Sequence, residues 1–341
     1  MSENKRIDEL LKTVEKSLGK DVFIGTGTDD RAIKKMVSSG IPVFDKITKG
    51  GFKRGGIHIF SGAFASGKTF LSQKLIASMQ QQDGVCAFID SERRYDPEWF
   101  ALTGVDISKL IVIRPLTGEE AFEATEILIK EKADVVVIDS FASLLPNQEA
   151  EEEEISPTIG LQARLLSQGL RRLVPINDNT VVVATNQMRQ DIGTGYHRGI
   201  QERMSGGVAQ YFYASLIVKV SRRGDITIPI GGDSTVVEVG EDGSEDTNRK
   251  NRRKVGFMLE CLVTKCNYAP PFQSCQVPFN FYTGQLDNVA SMVDLAISLN
   301  VIERKGAWYQ YKGEKFQGRQ GVIDWVKEDP TRIEEIKSVV L

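Results

Sequence analysis

The chain has 341 residues, 41% of them hydrophobic and 26% charged, enough to close a full core with one large domain and a smaller one. Its formal net charge of −3 gives no support for nucleic-acid binding by the chain as a whole, so any such contact must come from local basic clusters. No signal-peptide pattern opens the chain and no apolar run reaches membrane-spanning length, which predicts a cytoplasmic protein with no membrane partner. Cys86, Cys261, Cys266 and Cys275 form no Cys-x-x-Cys pair and meet no His-x-x-x-His, so reduced, mostly buried thiols are expected rather than zinc.

Ile7, Leu10, Leu11, Val14 and Leu18 recur at helical spacing with Asp8, Glu9, Lys12 and Lys16 between them, predicting an amphipathic helix that Gly19 ends. From Gly55 to Asp139 the pattern becomes short apolar runs, IHIF, VCAFI, LIVI and VVVID, separated by helical segments. That alternation predicts an α/β core with a parallel sheet and crossover helices. TVVVAT (Thr180 to Thr185) and SLIVKV (Ser215 to Val220) add strands. Between Gly224 and Lys254, turn signals at Gly231-Gly232 and Asp242-Gly243 precede the basic run NRKNRRK, which contains Arg249 and Lys250. An exposed hairpin or a partly disordered loop is expected there. After Leu286 the composition returns to helix, predicting a small C-terminal domain.

The strongest motif is GAFASGKT, which follows the strand IHIF and opens the helical segment FLSQKLIASM. Gly62, Ala63, Phe64, Ala65, Ser66 and Gly67 would turn backbone N–H groups toward phosphate oxygens, and the helix N-terminus adds its dipole. Lys68 would reach the outer phosphates and Thr69 would hold Mg²⁺, with Asp139 at the end of VVVIDS orienting the same ion through its water shell. A nucleoside triphosphate, ATP with Mg²⁺, is therefore the expected ligand. Glu92 lies just past the strand end FID, where a carboxylate can aim and deprotonate an attacking water. Spacing alone also allows a solvated charge at a helix terminus. Trp99 offers a face for an adenine ring and Asp96 an acceptor for its amino group; the alternative is that Trp99 is core.

In GLQARLLSQGLRR, Arg164, Ser167, Gln168 and Arg171 share one helical face, while Leu166, Leu170 and Leu173 share the other. Such a face can grip phosphates or simply stand in solvent. The segment after Gln187 carries Arg189, Arg198, Arg203, Gly206 and Gly207; it is too long for a plain connector and suits a loop that orders on DNA. The run EAEEEE, Glu149 to Glu154, reads as a solvated edge or an electrostatic gate. His58 and His197 read as packing or surface residues.

GAFASGKT, FIDSE with YDP after it, VVVIDS, TNQMR, GG before YFYAS, and GAWYQYKGEKF stand in the order and approximate spacing of the bacterial RecA recombinase family, which the chain resembles over nearly its whole length. The resemblance implies a RecA-type phosphate-loop ATPase core with a parallel-rich central sheet, an N-terminal helix and a small α+β C-terminal domain. The implied divisions are 1–30 for the helix and oligomerisation segment, 31–286 for the core and 287–341 for the C-terminal domain. DNA-binding loops are expected at about 151–163 and 187–207. The implied activity is that of a DNA-dependent ATPase of recombination, repair and the SOS response. It would form helical filaments on single-stranded DNA with ATP at subunit interfaces, then pair that strand with double-stranded DNA and exchange strands. A hexameric helicase or regulatory ring ATPase on the same core is the alternative.

By the same resemblance Glu92 activates water, Asp96 and Trp99 contact adenine, and Gln187 links the γ-phosphate to the DNA loops. Lys265 would reach the neighbouring subunit's nucleotide, and its own alternative is a surface lysine. Three departures stand out: Trp99 where a tyrosine is usual, Asn267 in place of a second lysine, and a longer Gly224 to Lys254 stretch. With a C-terminus at IKSVVL in place of the usual acidic tail, they describe a divergent member, such as a phage or plasmid would encode.

Overall fold

The computed structural model describes residues 3–18, 23–29, 34–151, 160–191, 201–229, 237–238 and 252–341. They fall into two compact units, residues 1–35 and 36–341. In the first, Glu3–Leu18 forms helix α1, with Ile7, Leu10, Val14 and Leu18 exposed along one stripe. Gly19, expected to end it, lies outside the described residues.

The second unit begins with a two-stranded antiparallel pair, β1 (Met36–Val37) and β2 (Phe52–Lys53), with α2 (Pro42–Ile47) between them. The four expected runs then appear as β3 (Ile57–Gly62), β4 (Cys86–Asp90), β5 (Leu110–Ile113) and β6 (Val135–Asp139), linked by α3 (Lys68–Gln80), α4 (Pro97–Leu102) and α5 (Gly118–Lys130). Starts are set by local chemistry. Asp96 accepts from the Trp99 N–H at 2.9 Å and Pro97 takes the first turn of α4; Thr117 caps α5. Next come α6 (Asn147–Glu151), α7 (Leu161–Ile176), β7 (Val181–Asp191), β8 (Gln201–Met204), α8 (Ala209–Tyr213), β9 (Leu216–Pro229), β10 (Val237–Glu238), β11 (Arg252–Cys266), β12 (Ser274–Asn280) and β13 (Gln285–Leu286).

Among the described residues the sheet runs β13-β12-β11-β9-β3-β7-β6-β4-β5. Pairing is parallel from β9 through β5 and antiparallel from β9 outward to β13. The strand period of two explains why the central runs are apolar throughout. Phe60, Phe88, Val137 and Val183 face one layer, with Leu71 and Leu75 of α3; Ile59, Ile89, Val136 and Ala184 face the other, with Phe122 of α5 and Leu166 and Leu170 of α7. Each of these buried Val, Leu, Ile and Phe side chains contributes about 1.5–3 kcal/mol of hydrophobic free energy. The C-terminal segment adds α9 (Asn288–Ser298), a three-stranded meander of β14 (Glu303–Lys305), β15 (Trp308–Tyr311) and β16 (Glu314–Gln317), then α10 (Gly318–Glu328) and α11 (Pro330–Val340). No described helix is long and apolar enough to cross a membrane.

The strand expected over Ser215 to Val220 continues to Pro229 and pairs antiparallel with β11 as far as Arg252, so the described ends of the Gly224 to Lys254 stretch pair as in a hairpin; two other segments differ from expectation. Residues 161–163, expected in a DNA loop, already belong to α7, which starts after Gly160 in a left-handed turn. The glycine-rich segment expected as a loop over 187–207 is entered and left by strands: β7 runs through Asp191 and pairs antiparallel with β8, setting Arg189 opposite Arg203. In each case continued backbone pairing satisfies N–H and C=O groups that a polar composition had assigned to water. Glu152 to Glu154, His197, Arg198, Arg249 and Lys250 lie outside the described residues.

His58 is buried in β3, its Nδ1 3.2 Å from the Val182 carbonyl oxygen, and burial pulls its pKa from 6.5 to about 4. The unfolded chain thus takes up a proton near pH 6.5 that the folded chain refuses until near pH 4, so acidification favours unfolding across that window. Denaturant unfolding should show the parent losing about 2 kcal/mol more stability between roughly pH 7 and pH 4.5 than His58→Gln does. Equal losses in the two proteins would show that His58 does not carry this pH dependence.

Candidate nucleotide and nucleic-acid site

GAFASGKT is the turn between buried β3 and the N-terminus of α3. Gly67 precedes the helix at φ 102°, where a side chain is strained, and a Cβ there would lie 2.7 Å from Leu259 Cδ1 on β11. Lys68 Nζ folds back over the loop, donating to the carbonyl oxygens of Gly62 at 3.1 Å and Ala63 at 2.7 Å. Burial lowers its pKa, while the charges of Asp139 and Glu92 pull the other way. Thr69 Oγ1 donates to Asp139 Oδ2 at 2.6 Å, and Thr185 Oγ1 donates to the other carboxylate oxygen. Asp139 is only 7% exposed; burial pushes its carboxyl up, and the two hydroxyls hold it down. Ser66 Oγ is buried without a hydrogen-bond partner in the structure. A lysine on a glycine-shaped loop, an orphan hydroxyl and a Thr–Asp oxygen pair fit a polyphosphate with Mg²⁺, which is held through oxygen ligands and keeps part of its water shell.

Glu92 stands beside this pair. Its backbone N–H and that of Ser91 donate to the Asp139 carbonyl at 3.2 and 3.0 Å, tying the end of β4 to the end of β6. Its Oε1 accepts from Ser140 Oγ at 2.7 Å, and its Oε2 lies 3.3 Å from Arg94 Nη1. The polar turn after β4 is built on Asp90, which accepts from the N–H groups of Arg94 and Tyr95.

A cavity of about 360 Å³ joins the loop residues Phe64 to Thr69 with Glu92, Trp99, Asp139 and Gln187. Trp99 is 36% exposed and stands edge-on to Phe279 with ring centroids 6.4 Å apart, so it faces the cavity. Asp96 does not line the cavity, and its Oδ1 is engaged by the Trp99 N–H. Sequence reasoning missed the opposite wall, Phe257, Phe279 and Phe281, and two cations, Arg94 and Arg222. Nothing local in the sequence says that β11 and β12 flank the phosphate loop. A larger cavity, about 500 Å³, lies between β12–β13 and helices α9 and α10 and has no phosphate-binding loop.

Gln187 is the parallel-ladder partner of Gly62, so the phosphate loop and the root of the β7–β8 hairpin are adjacent. Asn186 Nδ2 donates to the Ser205 carbonyl at 2.9 Å and to Gln210 Oε1 at 2.7 Å, and the Ser205 N–H donates back to the Gln187 carbonyl. Gly206 and Gly207 pack on α7: Cβ atoms would lie 2.1 Å from Leu166 Cδ1 and 2.8 Å from Ala163 Cβ. Arg164, Gln168 and Arg171 of α7 are exposed and Ser167 is half-buried, with Leu166, Leu170 and Leu173 buried beneath. Arg189 and Arg203 are exposed on the hairpin. Lys265 is away from the cavity of its own chain; its Nζ donates to the carbonyls of Tyr211 at 2.5 Å and Phe212 at 3.2 Å, and partial burial lowers its pKa. The cysteines are all thiols, Cys86 and Cys261 buried, Cys266 and Cys275 half-buried.

A parallel-rich sheet that delivers a glycine-shaped loop, a helix N-terminus and two acidic strand ends to one crevice defines a nucleotide-binding protein of the phosphate-loop class. The comparisons narrow that class. A family model for the RecA N-terminal domain matches residues 5–285, and one for the RecA C-terminal domain matches residues 290–341. The chain is 36% identical over 329 residues to Protein RecA of Trichodesmium erythraeum (strain IMS101), covering 95% of this chain and 84% of that protein. It is 34% identical over 348 residues to Protein RecA of Thermus aquaticus, covering 100% and 95%. For Protein RecA of Francisella tularensis subsp. novicida (strain U112) the identity is 35% over 348 residues, covering 100% and 90%. The chain belongs to the RecA family of recombinases.

Gly67→Ala should destabilise the fold by about 1–3 kcal/mol, the scale of a side chain forced into a disfavoured backbone region, and weaken triphosphate binding further by displacing the loop from Leu259. Thermal melts and nucleotide titration check it; parent-like values in both would remove the structural reason for this glycine.

Proposed function

We propose that the chain is an ATP-dependent homologous recombinase that assembles as a helical filament on single-stranded DNA, pairs it with double-stranded DNA and exchanges strands. The observation that carries this is the ladder pairing of Gly62 with Gln187, which joins the phosphate loop to the hairpin bearing Arg189 and Arg203. Through that pairing the occupancy of one site can bias the other. The proposal places ATP at subunit interfaces and the protein in the cytoplasm.

In hydrolysis, Lys68 would leave the loop carbonyls and donate to the outer phosphates, with backbone N–H groups of residues 62–67 around the inner ones. Thr69 and Asp139 would hold Mg²⁺, which neutralises charge on the phosphate oxygens when bound. Glu92, pinned by Ser140, orients and deprotonates the attacking water. Trp99 stacks on the adenine against the Phe279 side of the cavity, and Asp96, which does not line the cavity, serves by capping the helix that carries Trp99 in place of the expected contact with the amino group. Gln187 senses the outer phosphate and passes its position into the hairpin. Arg164, Ser167, Gln168, Arg171, Arg189, Arg198 and Arg203 supply phosphate contacts to DNA, and Gly206 and Gly207 let that surface sit close on α7. Lys265 supplies charge to the neighbouring subunit's nucleotide, giving up its carbonyl contacts in the assembly.

A strand-exchange assay with and without ATP is the direct test: joint molecules that appear only with ATP are expected, and their absence in both conditions would refute the proposal. Electron microscopy on single-stranded DNA should show continuous filaments; closed rings would favour the helicase-like alternative. Glu92→Gln should keep ATP and DNA binding but slow hydrolysis by roughly two to four orders of magnitude, read by phosphate release. Parent-rate hydrolysis would return Glu92 to a solvated charge. Arg164→Ala and Arg171→Ala should each weaken single-stranded DNA binding at all sequences and flatten its salt dependence by about one unit or less. An unchanged salt slope would take these arginines off the DNA.

A further inference from the structure

A second cation stands at the mouth of the phosphate pocket, on the turn that also carries Glu92. Arg94 lines the same cavity as Lys68, Thr69 and Asp139. Its guanidinium lies 3.3 Å from Glu92 Oε2 and 5.8 Å from the ring centroid of Phe64, the exposed tip of the phosphate loop. The backbone beneath it is anchored, because the Arg94 N–H donates at 2.9 Å to Asp90, a carboxylate 1% exposed, and Arg93 just before it turns at φ 57°. The side chain itself is 66% exposed, so it can swing from a fixed root.

We propose that Arg94 is a triphosphate-recognition residue acting within its own subunit: it exchanges Glu92 for the outermost phosphate and thereby leaves Glu92 Oε2 to the attacking water. The proposal rests on the ATP-site assignment and adds a residue to it. A triphosphate brings several negative charges into a cavity where Lys68 is partly desolvated, and the third cation there is committed elsewhere. Arg222 lies over the Phe257 ring at 4.3 Å and faces Asp225 at 3.6 Å. Arginine keeps its charge at every relevant pH and matches phosphate oxygens with a planar fork of donors. The exchange is cheap, since an ion pair this exposed holds weakly. Glu92 does not drift when the guanidinium departs, because Ser140 Oγ still holds Oε1.

The test compares ADP with the non-hydrolysable β,γ-imido analogue of ATP by titration calorimetry on the intact chain. Arg94→Ala should weaken the triphosphate by roughly ten- to a hundredfold while ADP changes by no more than about twofold, and Arg94→Lys should recover part of the difference. Equal weakening of both nucleotides, or an unchanged triphosphate affinity, would overturn the proposal. Lys68→Ala separates the two levels. If it loses the triphosphate and Arg94→Ala does not, only the role of Arg94 falls. If the parent chain binds neither nucleotide, the ATP site falls and Arg94 with it.

Discussion

The crevice depends on one carboxylate that water barely reaches. Leaving a charge such as that of Asp139 unpaired in the interior costs several kcal/mol, about what a domain can spare. The hydroxyls of Thr69 and Thr185 and the charge of Lys68 offset that cost. Those partners come from the start of α3 and from β7, while the Asp139 backbone carbonyl takes two N–H groups from the end of β4. One residue therefore ties the ends of β4 and β6 and the middle of β7 to the helix that follows the phosphate loop. Such convergence needs parallel strands, since only they bring successive carboxyl ends to the same edge.

From that point the structure extends to the β7–β8 hairpin and α7 through short steps of hydrogen bonding and close packing. Gly62 pairs with Gln187; Asn186 grips Ser205 and Gln210; Gly206 lies against Leu166 of α7. Asn186 and Gln210 are both fully buried, so each bond lost there would strand a partner without water to replace it. In the proposed function these hydrogen bonds, and the packing of Gly206 on α7, are the contacts through which a change at the phosphate loop would reach the hairpin.

The opposite wall of the pocket comes from a different architecture. Beyond β9 the sheet turns antiparallel, and β11, β12 and the turn after β12 bring Phe257, Phe279 and Phe281 against the loop, with Leu259 filling the space that Gly67 leaves. The same register shapes the outer hairpin, where Lys254 pairs with Asp225 at 2.5 Å and Arg222 stacks on Phe257. Aromatic faces there line the phosphate-loop cavity and also seat basic side chains, so this antiparallel part of the sheet is neither wholly core nor wholly surface.

Much of this was legible in the residues themselves. Short apolar runs alternating with helical segments read as the strands of a parallel sheet, and a glycine-rich loop between such a strand and a helix has few uses besides phosphate. The face of α7 carrying Arg164 and Arg171 followed from the 3.6-residue period alone. These are local rules, and local sequence suffices for them. What only the tertiary structure decided are pairings between residues far apart in the chain: that Ser140 holds Glu92, that Phe279 faces Trp99, and that Lys265 is held by the carbonyls of Tyr211 and Phe212. It also decided where polar segments stop being loops. Composition predicts solvent for residues 187–191 and 224–229, yet strand pairing claims them, because a backbone bonded to a neighbouring strand no longer needs water.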